Sequence, residues 1–129
     1  MNIASQIFAG IAAALHVLIF CMESLWFMRP QVYKRFGANS AADAEARRLF
    51  AYNQGFYNLF LAIGCGLGLV LLQMPDYVVA GRTLVLFTCA SILGAGLVLL
   101  YSGGSRMLRA ALMQGLPPAL AIGLYLALG

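Results

Sequence analysis

The first apolar run of the chain decides its fold class: residues 3–28 have the sequence IASQIFAGIAAALHVLIFCMESLWFM. A membrane-spanning helix needs about 20 predominantly apolar residues, and this run is long enough to supply one. It is also longer than the apolar part of a cleaved signal peptide, which has about 7–15 residues. We therefore expect residues 3–28 to form a retained transmembrane helix.

The rest of the chain is similarly apolar. Of its 129 residues, 63% are hydrophobic and 9% are charged, and the mean hydropathy is +0.89. Soluble domains are about 45–50% apolar and about 25% charged, so this composition excludes an ordinary water-soluble globular protein. Three more apolar runs follow, at residues 50–73, 77–101 and 106–128. The sequence predicts one integral membrane domain over residues 1–129, an all-α transmembrane four-helix bundle with antiparallel up-down spans.

The polar stretch after the first span contains signals that end one helix and begin the next. Pro30 ends the first span, because proline disfavours helix at the preceding residue and cannot donate a backbone hydrogen bond. Ser40 is a favourable helix N-cap, and Asp43 and Glu45 follow in the first turns, where acidic side chains stabilise the positive end of the helix dipole. The second helix is therefore predicted to begin at Ser40.

The distribution of basic residues predicts the orientation. Short cytoplasmic loops of membrane proteins are enriched in Lys and Arg. The first and third connections with their flanks hold seven basic residues, and the second holds only Arg82. The seven are Arg29, Lys34, Arg35, Arg47, Arg48, Arg106 and Arg109. We expect a cell inner membrane protein with connections one and three in the cytoplasm and both termini outside. The expected partner is the lipid bilayer, and no nucleic acid is expected.

Two ionisable residues lie within the first span. Polar side chains inside a membrane are costly and commonly mark functional sites. His16 and Glu23 are seven residues apart, nearly two helical turns, so they share one face about 10 Å apart along the axis. Glu23 is near the cytoplasmic end of the span, and His16 is near its middle.

A second polar face opens the next span. Four polar side chains between residues 53 and 58 fall within one arc of about 140°. Matching the cytoplasmic ends of the two spans puts Glu23 near the level of Asn53 and Gln54, and His16 near Asn58 or one turn beyond it. Gln114 in the fourth span is expected at the His16 level. The predicted ligand-binding residues of this intramembrane polar pocket are His16, Glu23, Asn53, Gln54, Tyr57, Asn58 and Gln114.

Three classes of function fit such a pocket. The first choice is a protein that binds or transports a small or amphipathic molecule, with Glu23 and His16 as a proton-responsive pair, because a histidine and a carboxylate in low dielectric have shifted proton affinities. The alternative is an isomerase-like membrane enzyme that acts on a lipid or quinone-like substrate, with the same two residues as catalytic candidates. The third is a structural partner subunit.

No metal or other cofactor is expected. The three cysteines, Cys21, Cys65 and Cys89, lie singly in apolar stretches and have neither zinc-site nor disulfide-framework spacing. A packing-only interpretation of the other polar residues also stays open. Under this interpretation, each polar side chain forms a hydrogen bond to a neighbouring helix that stabilises the bundle by about 0.6 kcal/mol. Glu23 then pairs with Arg29, Arg47 or Arg48.

Small residues spaced by four occur in the second and third spans, where they let helix backbones approach closely. The pairs are Ala62 with Gly66, Gly64 with Gly68, and Ala90 with Gly94. We favour packing within the bundle as their role. The alternative is a homo-oligomer that associates through these glycine-rich faces.

The chain also resembles a known family. The pattern His16-x6-Glu23-x2-Trp26 and the sequence NQGFYNLFLA at residues 53–62 are similar to the small bacterial integral membrane proteins catalogued as domain of unknown function thirteen-hundred-and-four. The resemblance covers nearly the whole chain. It implies a compact four-span inner-membrane protein and supplies no established reaction.

Overall fold

The computed structural model describes residues 1–129, and these form helices and no strands. The all-α prediction is confirmed. The α-helices are α1 (Ile3–Phe20), α2 (Pro30–Tyr33), α3 (Ala41–Leu71), α4 (Val78–Gly103) and α5 (Leu108–Leu128). A π-helical turn, Cys21–Leu25, continues α1, and 3-10 turns lie at Lys34–Phe36, Pro75–Tyr77 and Ser105–Met107.

Four helical segments are long and apolar enough to cross a membrane. They are Ile3–Leu25, Ala41–Leu71, Pro75–Gly103 and Ser105–Leu128. The chain therefore has the make-up of a multi-pass membrane protein, as its sequence predicts. The antiparallel up-down order and the single domain over residues 1–129 stay predictions.

The first helix ends earlier than its apolar run predicts, whereas the second helix begins where the sequence predicts. The first helix ends at Leu25 and not near Met28, because the backbone leaves helical geometry at Trp26 (φ −114°, ψ 9°). The second helix begins well before its apolar run. The backbone N–H of Asp43 donates to the Ser40 hydroxyl at 3.1 Å, which confirms the predicted cap.

The chain forms two compact units. The terminal unit comprises Met1–Leu15 and Leu61–Gly129, and the central unit comprises His16–Phe60. The terminal unit is built around the buried residues Ala9, Cys65, Val85, Cys89 and Ala121. The core of the central unit consists of Phe27, Tyr33, Ala38 and Ala44.

Glycines let α3 and α4 touch through their backbones in the terminal unit. A Cβ atom on Gly68 would lie 2.8 Å from the carbonyl oxygen of Gly81, and one on Gly64 would lie 3.0 Å from Cγ2 of Thr88. Packing within the protein thus accounts for Gly64 and Gly68. A Cβ on Gly66 or Gly94 would meet no atom within 4 Å. Association of copies through the glycine-rich faces remains a prediction.

Candidate ligand site around Glu23

Glu23 lies in the π-helical turn that ends the first span. The backbone N–H of Trp26 donates to the carbonyl of Cys21 at 2.9 Å, five residues back instead of four. Only 8% of Glu23 is exposed, so the turn carries a carboxyl group into the interior of the central unit.

The buried carboxyl is bonded to an amide of α3. The side chain of Asn58 donates from Nδ2 to Oε1 of Glu23 at 2.7 Å, and Asn58 is also 8% exposed. The sequence placed Glu23 level with Asn53 and Gln54, and assigned Asn58 to the level of His16. The bond goes one turn further along α3, because helical side chains tilt toward the N-terminus of their own helix.

A close backbone approach holds the π-turn against α3. The Ser24 hydroxyl donates to the carbonyl of Tyr52 at 2.8 Å. A Cβ atom on Gly55 would collide with Ser24 Oγ and would lie 3.1 Å from the Ser24 backbone nitrogen. The rings of Phe20 and Phe56 pack edge to face beside this contact, with centroids 5.1 Å apart. Gly55 therefore provides the space that brings Glu23 within reach of Asn58.

A cleft of about 430 Å³ opens beside this carboxyl. Its polar lining consists of Glu23, Arg47, Asn53, Gln54 and Tyr57. Its apolar lining consists of Phe27, Phe36, Phe50 and Ala51. The lining thus offers a carboxyl, two amides, a phenol and a guanidinium, and its apolar part is largely aromatic.

The predicted polar arc of α3 is divided between the interior and the surface. Asn58 is buried, whereas Asn53 and Gln54 are exposed and Tyr57 is 66% exposed. The side-chain amide of Asn53 donates to the carbonyl of Leu49 on its own helix at 2.8 Å. Gln54 and Tyr57 can therefore serve a molecule in the cleft, while Asn58 holds Glu23.

The two remaining predicted residues lie elsewhere. His16 is 1% exposed and begins the central unit. Gln114 belongs to the terminal unit, where its side-chain amide donates to the carbonyl of Ile92 at 3.5 Å. Their membership of one ligand-binding group with Glu23 stays a prediction.

The arginines proposed as partners of Glu23 have other contacts. Arg47 donates from Nε to Oδ1 of Asp43 at 3.1 Å and reaches the carbonyl of Phe36 at 3.4 Å. Arg48 pairs with Glu45 at 3.4 Å, and the Arg29 guanidinium lies 5.2 Å from the centre of the Trp26 ring. The pairing suggested by the packing-only interpretation is therefore not formed, and an amide is the partner of Glu23.

Several residues of the site had no predicted role in it. The sequence pattern does not indicate the π-turn, the contact between Ser24 and Gly55, or the cleft rings Phe27, Phe36 and Phe50. The available signal was their position: Phe27 precedes the polar stretch after the first span, Phe36 lies within that stretch, and Phe50 opens the apolar part of α3. Aromatic residues around a connection are also common as interfacial anchors, so the signal is weak.

The arrangement supports hydrogen bonding and proton exchange. A carboxylate accepts hydrogen bonds, and a protonated carboxyl also donates one, so Glu23 can hold a hydroxyl, an amide or an amine. No group of three His, Cys, Asp or Glu side chains is placed to hold a metal ion.

Comparison with known proteins identifies a family. A family model described as "Protein of unknown function (DUF1304)" matches residues 10–126. No curated protein and no solved structure matches the chain. Since the match covers most of the sequence and the structure has four apolar helices, the chain belongs to the DUF1304 family.

Proposed function

We propose that this protein binds or transports a small amphipathic molecule in an inner membrane, with the cleft around Glu23 as its site. One observation carries the proposal: a buried carboxyl, bonded to a buried amide, lines a cleft of about 430 Å³. That volume is within the range of about 300–1,000 Å³ typical of small-molecule sites. Intramembrane carboxyl groups are costly, so their presence in a cleft favours a functional role.

The lining supports a ligand with two chemically different parts. Phe27, Phe36 and Phe50 offer ring faces to an apolar body. Glu23 and Gln54 offer hydrogen-bonding groups to a polar head. We infer a ligand whose head donates at least one hydrogen bond to Glu23.

An acid/base enzyme is the second candidate, and one observation favours it. His16 and Glu23 are both buried and both belong to the central unit. A histidine and a carboxyl are the usual pair for moving protons on a bound substrate. An enzyme would convert the molecule found in the cleft, whereas a carrier would release it unchanged.

Filling the cleft is expected to remove the ligand. Ala51 lines the cleft, and Ala46 is an exposed residue of α3 outside that lining. Native mass spectrometry of protein extracted from membranes into nanodiscs should detect a bound small molecule in the wild type and in Ala46→Trp, and lose it in Ala51→Trp. A molecule retained equally by both variants would place the binding site elsewhere.

We also propose that connections one and three are cytoplasmic and that both termini are outside, since seven basic residues lie in or beside connections one and three and only Arg82 lies beside connection two. Asn39 and Asp76 are exposed residues of connections one and two. In a Cys21→Ala background, a membrane-impermeant maleimide added to spheroplasts should label Asp76→Cys and spare Asn39→Cys until the membrane is opened. The reverse pattern would invert the topology.

A further inference from the structure

An apolar groove runs between α4 and α5 in the terminal unit. Its volume is about 170 Å³. Small residues form its floor, where a Cβ on Gly96 would lie 3.4 Å from the carbonyl oxygen of Ala111. Leu97, Leu112 and Leu116 form exposed rims. The two helices touch at the floor and leave a furrow between their leucines.

The groove has the length of one membrane leaflet. Its lining on α5 runs from Leu108 to Ala119, a rise of about 16 Å at about 1.5 Å per residue. The hydrocarbon core of a bilayer is about 30 Å thick, so one leaflet supplies about 15 Å. A helix about 10–12 Å across and about 16 Å long would occupy more than about 1,000 Å³, so it cannot lie within a groove of about 170 Å³. A single acyl chain is thinner and matches the length of the groove.

Two unneutralised cations lie at one end of the groove. Arg106 and Arg109 are exposed beside Leu108, where the lining begins. The one hydrogen bond that Arg106 makes is with a backbone carbonyl, that of Gly103 at 3.3 Å. The only acidic side chain of the terminal unit is Asp76, which precedes the opposite end of α4. This end of the groove is therefore positively charged.

We propose that the groove between α4 and α5 is a binding site for an anionic glycerophospholipid. One acyl chain lies between the leucine rims, and the phosphate headgroup is bound by Arg106 and Arg109. Basic residues next to a membrane attract anionic lipid headgroups, and a phosphate pairs well with guanidinium donors. The apolar furrow and the charge at its end are both required.

The charge requirement can be tested with two defined lipids. Delipidated protein in a zwitterionic detergent is titrated with palmitoyl-oleoyl phosphatidylglycerol or phosphatidylcholine, and the bound lipid is measured by native mass spectrometry. At about 1 kcal/mol per arginine near the membrane surface, the wild type should bind phosphatidylglycerol about 30-fold more tightly. Arg106→Gln with Arg109→Gln should remove that preference. The control, Lys34→Gln with Arg35→Gln, removes the same amount of charge from the central unit. This control should keep the preference for phosphatidylglycerol.

The furrow can be tested on α5 itself. Gly115 belongs to the groove lining, whereas a Cβ on Gly123 would meet no atom within 4 Å. Gly115→Leu should lose both lipids, and Gly123→Leu should bind as the wild type does. Equal binding of the two lipids by the wild type, or a preference that survives loss of both arginines, would overturn the proposal. A dimer of the wild type would also overturn the proposal if Gly115→Leu separated it and the two arginine substitutions left it intact. The groove would then bind a second copy of the chain.

Discussion

Gly68→Ala is expected to destabilise the terminal unit by about 1–3 kcal/mol, the usual cost of overpacking a close contact. The added methyl group would lie 2.8 Å from the carbonyl oxygen of Gly81 and 2.9 Å from the backbone nitrogen of Val85. Backbone atoms cannot rotate away as a side chain can, so α3 and α4 must separate. Thermal unfolding followed by circular dichroism in detergent measures the loss.

Gly66→Ala is the matched control on the same helix, because its methyl group would meet no atom within 4 Å. Alanine is also the better helix former by about 1 kcal/mol, so this variant should be as stable as the wild type or slightly more stable. Equal losses at Gly66 and Gly68 would show that the two positions are packed alike, contrary to the structure. A loss of oligomer in Gly66→Ala alone would instead support the homo-oligomer prediction.

Glu23→Gln is expected to weaken binding of the proposed cleft ligand at least tenfold, while the protein stays folded. It should also abolish the change in binding with pH that protonation of the Glu23 carboxyl would cause. The substituted amide oxygen can still accept the hydrogen bond that Asn58 donates to Oε1. It can neither ionise nor match the strength with which a carboxylate binds a donor. The measurement is the fraction of protein that retains its co-purified molecule between about pH 5 and pH 8, by native mass spectrometry.

Glu45→Gln controls for the loss of one acidic charge, since Glu45 is exposed and pairs with Arg48 on the surface. It should bind the ligand as the wild type does. If Glu23→Gln retained the molecule with unchanged pH dependence, the carboxyl would have a packing role only. A packing role would show itself in Glu23→Ala. That variant leaves the buried Asn58 amide without its acceptor and should lower the free energy of unfolding by about 1–3 kcal/mol.

The sequence predicts the helices because each depends on local information. An apolar run of about 20 residues has few alternatives to a membrane helix, and the Ser40 cap involves residues only three apart. The π-turn at Cys21–Leu25 could not be predicted in the same way. It accompanies a contact between Ser24 and the backbone around Gly55, and nothing within the five residues themselves specifies it.

The site was only partly predictable, because part of it depends on contacts between residues that are distant in the sequence. Helical periodicity indicated that Glu23 and the polar arc of α3 belong together, and Asn58 does bond Glu23. Periodicity could not say that Asn53 would bond its own helix, or that Phe36 and Phe50 would complete the cleft. Those features depend on how the polar stretch packs onto α3, which involves residues with no regular spacing.

The length of α3 has a consequence for how a molecule reaches the cleft. Its 31 residues rise about 46 Å, some 16 Å more than the hydrocarbon core of a bilayer. The excess includes the charged first turns of α3, which contain Arg47. On the proposed topology, we therefore expect the Arg47 side of the cleft at headgroup depth and the Glu23 side deeper. An incoming solute would shed its hydration in stages, exchanging water first for arginine and amide contacts and only then for the carboxyl.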